Sequence, residues 1–262
     1  MSSLPLSDRR ALVCGASQGI GRAIAHDLAA RGAGVTILAR SASGLEDVLQ
    51  SLPDTGTRHN ALSIDLTDHE ALDAALGDLR SSVGHHDILI NNSGGPKPGP
   101  LHQADPNDLV PAFNQHIVAS QKLLQAFLGE MQQQKFGRVV NIISTSVKQP
   151  IPGLGISNTI RGAMANWAKT LANELGPFGI TVNNVLPGAT KTGRLASIIE
   201  NRAKAQNKSE QEVEQAWRET IPLRRFAEPE EIAAAVGFLV SPDGSYITGI
   251  NLPVDGGRTS SL

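Results

Sequence analysis

The chain is poor in cysteine and in aromatic residues. It has 262 residues but one cysteine, so it can form no internal disulfide. Aromatic residues make up 3% of the chain, and the single tyrosine, Tyr246, lies close to the C-terminus. Chemistry that needs a phenol hydroxyl must therefore use Tyr246 or proceed without a tyrosine.

Long hydrophobic runs and an excess of one charge sign are also absent. No apolar stretch approaches membrane-spanning length, and the N-terminal MSSLPLSDRR lacks the apolar centre of a signal peptide. The formal net charge is -2, and charged residues make up 18% of the chain. We therefore expect a cytoplasmic protein that binds a small-molecule substrate, with no nucleic-acid or membrane partner and no metal site.

Short β-branched runs alternate with longer amphipathic stretches along the whole chain. The runs are almost continuously apolar, as is typical of parallel strands that helices cover on both faces. The pattern predicts one α/β domain over residues 1–262, with a Rossmann-type doubly wound parallel sheet of about seven strands. We predict strands at residues 11–13, 35–38, 61–64, 88–90, 139–143, 180–185 and 247–252, and helices at residues 20–30, 70–79, 107–133, 156–175 and 229–239.

The segment between the sixth predicted strand and the last predicted helix is polar. Ser209 and Glu212 have the spacing of a capping box, which predicts a helix start. We expect residues 193–222 to form a helical flap over the substrate.

A glycine-rich turn joins the first predicted strand to the first predicted helix. Glycine lets the backbone approach a pyrophosphate, and the helix N-terminus favours the negative charge. The turn therefore predicts a dinucleotide site, although glycine is also common in turns without a ligand. The residues expected to contact the dinucleotide here are Gly15, Ser17, Gln18, Gly19, Ile20 and Gly21.

Arg40 follows the second predicted strand, where NAD-binding proteins normally carry a carboxylate for the ribose 2′-hydroxyl. An arginine at this position attracts the additional phosphate of NADP. We therefore predict NADP(H) as the cofactor, preferred over NAD(H). The alternative is that Arg40 is a solvated surface residue.

The spacing Gly-x-x-x-Gly-x-Gly and later motifs resemble the short-chain dehydrogenase/reductase family over nearly the whole chain. The pattern is most similar to members of the 3-oxoacyl-acyl-carrier-protein-reductase type. Residues 91–94 resemble the Asn-Asn-Ala-Gly turn of the family, and residues 187–192 resemble its nicotinamide-binding Pro-Gly loop. The resemblance implies further cofactor contacts from Asp65, Leu66, Asn92, Ser93, Gly94, Arg161, Pro187, Gly188, Thr190 and Thr192.

The resemblance also implies four catalytic positions, and this chain departs from the family at three of them. The family has Asn, Ser, Tyr and Lys where this chain has His116, Ser144, Ser157 and Arg161. A serine hydroxyl is a far weaker acid than a phenol, and an arginine stays protonated, so this pair cannot perform the usual proton transfer. Tyr246 is no substitute, because its surroundings resemble the turn before the family's last strand.

Each substituted position has a functional and a structural interpretation. His116 can donate a proton directly or through water, or it is a packed residue of a long helix. Arg161 can stabilise an oxyanion and bind the nicotinamide ribose. Ser157 either donates a hydrogen bond or packs as a small residue. Lys97 and Lys148 are expected on loops at the same mouth, where they favour an anionic substrate or are solvated.

Three functions remain open at this point. The first is an NADP(H)-dependent oxidoreductase that acts on a carbonyl or alcohol with a non-standard active site. The second is an NADP(H)-binding sensor or scaffold that has lost redox catalysis, and the third is other chemistry on the same scaffold. We favour the first, because Ser144 and the loop at residues 187–192 are retained. The resemblance further implies a homo-oligomer, a tetramer or dimer, packed through its long helices.

Overall fold

The computed structural model describes residues 4–261 and centres on one parallel sheet. The strand order is β3-β2-β1-β4-β5-β6-β7, and every neighbouring pair is parallel. The order reverses between β1 and β4, which opens a crevice at the carboxyl ends of these strands. The strands are β1 (Arg10–Cys14), β2 (Gly34–Ala39), β3 (Asn60–Ser63), β4 (Ile88–Asn91), β5 (Gly137–Ile142), β6 (Ile180–Pro187) and β7 (Asn251–Val254).

Helices cover both faces of the sheet. One buried apolar cluster joins the strands to α1, α2 and α9, and a second joins them to α3, α5 and α6. The doubly wound Rossmann-type prediction is thereby confirmed. The helices are α1 (Gly19–Ala30), α2 (Ala42–Ser51), α3 (His69–Ser82), α4 (Leu109–Phe113), α5 (Ala119–Gln134), α6 (Gly155–Leu175), α7 (Gly193–Gln206), α8 (Glu210–Glu219) and α9 (Pro229–Val240). No helix within residues 4–261 is long and apolar enough to cross a membrane.

The long helix predicted at residues 107–133 is interrupted. Leu109–Phe113 is α-helical, Asn114–Val118 forms a π-helical turn, and the α-helix resumes as α5. π-Helical turns inside helices are frequent at functional sites. This turn contains His116, so the interruption lies at a position that the sequence singled out.

The last strand begins later than predicted. β7 starts at Asn251, whereas the prediction began at residue 247. The buried side chain of Asn183 explains the difference, because its amide donates to the Ile247 carbonyl at 2.8 Å and accepts from the Ile250 N–H at 3.3 Å. The Asn183 side chain thus occupies the Ile247 carbonyl and the Ile250 N–H, two backbone groups that a β-strand would pair with a neighbouring strand. Helix α2 was not among the predicted helices.

Helices α7 and α8 occupy the segment predicted to be a helical flap. Ser209 caps α8 as the sequence indicated, because its hydroxyl accepts from the Glu212 N–H at 3.2 Å and its own N–H donates to the Glu212 carboxylate at 2.9 Å. A separate apolar cluster joins the two helices, with Leu195 and Val213 among its buried members.

A ladder of asparagine side chains crosses four strands of the sheet. Asn91 donates to Asn141, Asn141 to Asn184, and Asn184 to Asn251, each at 2.8 Å between amide nitrogen and amide oxygen. The four residues are register partners on β4, β5, β6 and β7. Because β4 and β5 lead directly into the loops that hold Ser93 and Ser144, the ladder fixes these loops relative to each other.

The ladder predicts unequal effects of two matched substitutions on stability. Asn141→Ala removes two buried hydrogen bonds and leaves polar groups of Asn91 and Asn184 without partners, so it should lower the unfolding free energy by about 3 kcal/mol. Asn251→Ala removes one hydrogen bond at the partly exposed end and should cost about 1 kcal/mol. Denaturant unfolding measures both, and equal losses would contradict the ladder.

Candidate active site

The glycine turn before α1 leaves no space for side chains. A Cβ at Gly21 would lie 2.2 Å from the Gly15 carbonyl oxygen, and a Cβ at Gly15 would lie 2.7 Å from the Asn92 carbonyl oxygen. Gly15 has φ +61, which only glycine adopts without strain. The Asn92 amide donates to the carbonyls of Cys14 and Gly15 at 3.2 and 3.3 Å and holds the turn against β1.

The N-terminus of α1 is electrostatically suited to a phosphate. Gln18, the N-cap residue, makes no capping hydrogen bond with its side chain, and the first turn contains no acidic residue. The first N–H groups of α1 are therefore available, and they form an anion site together with the helix dipole. The turn fits the pyrophosphate of a dinucleotide.

The structure brings the predicted cofactor residues together along one cleft at the carboxyl edge of the sheet. Every predicted residue lines this cleft except Gly21, which lies beneath the turn against Gly15. Arg40 and Asp65 stand at one end, with 3.6 Å between the guanidinium and the carboxylate. The pKa of Asp65 is lowered, first by the N–H of Thr67 that it accepts and then by the charge of Arg40. With its side chain 79% exposed, Arg40 is free to bind another anion.

Arg161 places a buried positive charge at the carboxyl end of β5, on the part of the cleft that is called the reacting end below. Its side chain donates to the Ile142 carbonyl at 2.9 Å and to the Ser93 carbonyl at 3.3 Å. The residue is 7% exposed, and no ion pair within residues 4–261 includes it. Burial lowers the pKa of Arg161 to about 10, with a second contribution from Arg194. The guanidinium is therefore a permanent cation at neutral pH.

His116 lies behind the cleft rather than on it. Its Nδ1 is 2.8 Å from the Ser93 hydroxyl, and the residue is 4% exposed. Burial, followed by the charge of Arg161, lowers the pKa of His116 to about 3. It lines a cavity of about 10 Å³, which has room for one water molecule, together with Asn91 and Arg161. His116 is thus a neutral hydrogen-bonding group, poorly suited to the proton donation considered from the sequence.

Ser144 and Ser157 both line the cleft. The Ser144 hydroxyl accepts from the Ser146 N–H at 3.0 Å, just after the end of β5. Ser157 precedes Arg161 by four residues in α6, which places both side chains on one face of the helix. Arg161 also contacts the carbonyl of Ile142, two residues before Ser144, so all three side chains belong to the cleft at the carboxyl end of β5.

The remaining side chains considered from the sequence differ in whether they line the cleft. Tyr246 is fully exposed and lies outside the cleft. Lys97 lines the cleft, but Lys148 does not, so the expectation that both face the mouth is wrong for Lys148. Cys14 is buried, and burial raises the pKa of its thiol to about 12.

Sequence reasoning missed four residues that line the cleft from α7, α8 and the chain after β7, namely Arg194, Arg202, Trp217 and Arg258. Arg202 stacks on Trp217, with 4.2 Å between the guanidinium carbon and the ring centre. Helical spacing is the signal that points to them in α7, because the cleft-lining residues 194, 198, 202 and 205 are three or four positions apart.

Comparisons with known proteins agree with this architecture. The family model described as enoyl-(acyl carrier protein) reductase matches residues 15–259. NADPH-dependent reductase BacG from Bacillus subtilis is 33% identical over 98% of this chain and 100% of that protein. The 3-oxoacyl-[acyl-carrier-protein] reductase FabG of Haemophilus influenzae is 33% identical over 94% of this chain and 96% of that protein. The structure of L-sorbose reductase from Gluconobacter frateurii, complexed with NADPH and L-sorbose, superposes with a TM-score of 0.92 at 29% identity and covers 100% of both chains.

The buried histidines predict a pH-dependent stability. Burial lowers the pKa of His116 to about 3 and that of His86 to about 4, below the usual histidine value of 6.5. As the pH falls below about 6.5 the unfolded chain gains protons that the folded chain does not, and each histidine reduces the unfolding free energy by about 1.4 kcal/mol per pH unit until its folded pKa is reached.

His116→Asn should therefore make the unfolding free energy fall less steeply between about pH 6 and pH 4, by about 1.4 kcal/mol per pH unit, which is the contribution of one proton. Denaturant unfolding across this range measures the slope. His102→Asn, at an exposed position, is the matched control. If both variants have the slope of the unsubstituted protein, His116 does not bear the shifted pKa.

Proposed function

The chain belongs to the short-chain dehydrogenase/reductase family, and on this premise we propose that it reduces a carbonyl compound with NADPH, or runs the reverse reaction, without the family's usual tyrosine. The oxidoreductase class follows from the family. A purely NADP(H)-binding sensor or scaffold is not favoured, because the relatives are reductases and the nicotinamide end of the cleft retains Ser144.

The cleft offers groups that can bind the phosphates of NADP(H). The turn at residues 15–21 and the N-terminus of α1 are available to the pyrophosphate, and Arg40 is available to the 2′-phosphate. Relatives that are named as NADPH-dependent or complexed with NADPH support this cofactor preference. When bound, NADPH supplies the hydride.

The observation that carries the proposal is the buried, permanently charged guanidinium of Arg161 in the cleft that Ser144 and Ser157 also line. Reduction of a carbonyl develops negative charge on its oxygen, and a fixed cation in a site of low dielectric stabilises that charge strongly. The carbonyls of Ile142 and Ser93 hold the guanidinium in place. Arg161 needs no reorganisation to perform this role.

The two serine hydroxyls orient the substrate oxygen and donate hydrogen bonds to it. Neither is acidic enough to protonate an alkoxide as a phenol does. His116 is neutral and lies behind the cleft, so it does not provide an acid either. The proton therefore comes from water that reaches the open cleft.

The proposal also includes the substrate flap, the domain organisation, the oligomeric state and the location of the protein. Helices α7 and α8 act as the substrate flap within a single domain, since α7 contributes cleft-lining residues. A homo-oligomer, a tetramer or dimer, and the cytoplasmic location stay predictions.

Turnover tests the proposal directly. NADPH oxidation is followed with ketones, aldehydes, quinones and β-ketoacyl thioesters. Arg161→Gln should lower kcat/KM by about 10²- to 10³-fold for any substrate that the unsubstituted protein reduces, because the oxyanion loses its fixed cation. Lys169→Gln removes a cation from the exposed side of the same helix and is the matched control.

A Ser157→Tyr, Arg161→Lys double variant provides the second arm, because it restores the family's usual acid and its partner. Activity in this variant together with silence of the unsubstituted protein on every substrate would contradict the proposal. That result would indicate that the unsubstituted protein has a functional cofactor site but no catalytic acid.

Cofactor preference is tested at Arg40. Arg40→Asp should weaken NADPH binding about 100-fold, because a charge-assisted contact is replaced by repulsion, and should change NADH binding far less. Arg58→Asp makes the same change of charge and is the control, because Arg58 precedes β3 and so lies at the amino ends of the strands, away from the carboxyl ends that form the cleft. Equal losses for NADPH and NADH in the Arg40 variant would exclude a 2′-phosphate contact.

A further inference from the structure

The first turn of α7 carries an arginine across the cleft. A Cβ at Gly95 would lie 2.7 Å from Nη2 and 3.1 Å from Nη1 of Arg194, so the guanidinium rests against the loop that follows β4. Arg194 is exposed and lines the cleft. No ion pair within residues 4–261 includes it. Its charge is therefore free to meet a ligand.

Arg194 acts on the reacting end of the cleft. Its charge contributes to the lowered pKa values of both Arg161 and His116. The pyrophosphate is expected instead at the N-terminus of α1, beside the turn at residues 15–21. Although Thr192, at the start of α7, lies beside Gly19, the guanidinium of Arg194 rests against Gly95 and acts on Arg161 and His116, which favours contact with the substrate over contact with the cofactor phosphates.

Two further arginines, Arg202 and Arg258, also line the cleft. Arg202 stacks on Trp217, and burial, followed by the charge of Arg258, lowers the pKa of Arg202. None of the ion pairs within residues 4–261 includes Arg202 or Arg258. Cations that face one cleft raise its potential and attract anions.

The acidic residues that line the cleft are engaged elsewhere. Asp27 pairs with Arg31 and Asp65 with Arg40. Glu230, the third, lies close enough to His26 to act on its charge. None of the three neutralises Arg194, so the part of the cleft beside Arg194 keeps an excess of positive charge.

We propose that the substrate is an oxo acid and that Arg194 binds its carboxylate while its carbonyl lies at Arg161. This inference rests on the proposed reductase function and specifies its substrate class. A guanidinium binds a carboxylate through two parallel hydrogen bonds, which fixes the orientation of the substrate as well as its affinity. Trp217, held by Arg202, provides an apolar surface for the rest of the molecule.

Binding to the full chain saturated with NADP⁺ tests the inference without relying on turnover. Calorimetric titration uses aliphatic and aromatic 2-oxo and 3-oxo acids, each paired with its methyl ester. The unsubstituted protein should prefer at least one acid over its ester, and Arg194→Ala should weaken that acid about 10- to 100-fold while it leaves the ester unchanged. Arg194→Lys should recover part of the affinity.

Lys204→Ala removes a cation from the same helix, at a residue that pairs with Glu200 and does not line the cleft, and it should leave acid binding unchanged. NADPH affinity is measured in parallel. The inference is overturned if no acid is preferred over its ester, if acid and ester weaken equally in Arg194→Ala, or if that variant loses NADPH affinity instead.

The two proposals fail separately. Acid binding that depends on Arg194, without NADPH oxidation by any acid, would support the carboxylate site and count against the reductase. Reduction of neutral ketones, without preferential binding of any oxo acid over its ester, would overturn the carboxylate site alone.

Discussion

The cleft is organised around a guanidinium that is buried without a carboxylate partner. Moving such a charge out of water costs several kcal/mol unless polar groups replace the lost hydration. Here the carbonyls of Ile142 and Ser93 do so, and both lie just at the ends of strands. His116 and Cys14, which line the small cavity beside Arg161, are both neutral because of their burial.

The sheet supplies the rigidity that this arrangement requires. The carbonyl of Ser93 follows β4, and that of Ile142 ends β5, so a small shift between these strands would break the support of Arg161. The asparagine ladder joins the two strands just before these positions. Packing on both faces by the helices leaves the carboxyl edge of the sheet as the open side, and the cleft forms there.

Patterns in the sequence were sufficient for the sheet and for the glycine turn before α1, because apolar runs and glycine spacing act locally. The predicted cofactor residues lie along one cleft, with the exception of Gly21, and their contacts stay predictions. They failed where a side chain replaces backbone partners, as Asn183 does before β7. They were also insufficient for His116, since residue type does not reveal that a helix is buried on that side. Arg194 was missed because α7 has no motif and its role depends on the loop that Gly95 belongs to.

In the proposed reaction a fixed charge at Arg161, rather than an acid–base side chain, stabilises the developing oxyanion. The pH profile of kcat/KM for NADPH-dependent reduction distinguishes the two. With the pKa of Arg161 at about 10 and that of His116 at about 3, we expect a flat profile between about pH 6 and pH 9. A bell-shaped profile with a limb near pH 7 would reveal a titrating general acid in the cleft and would show that a fixed charge alone does not explain the reaction.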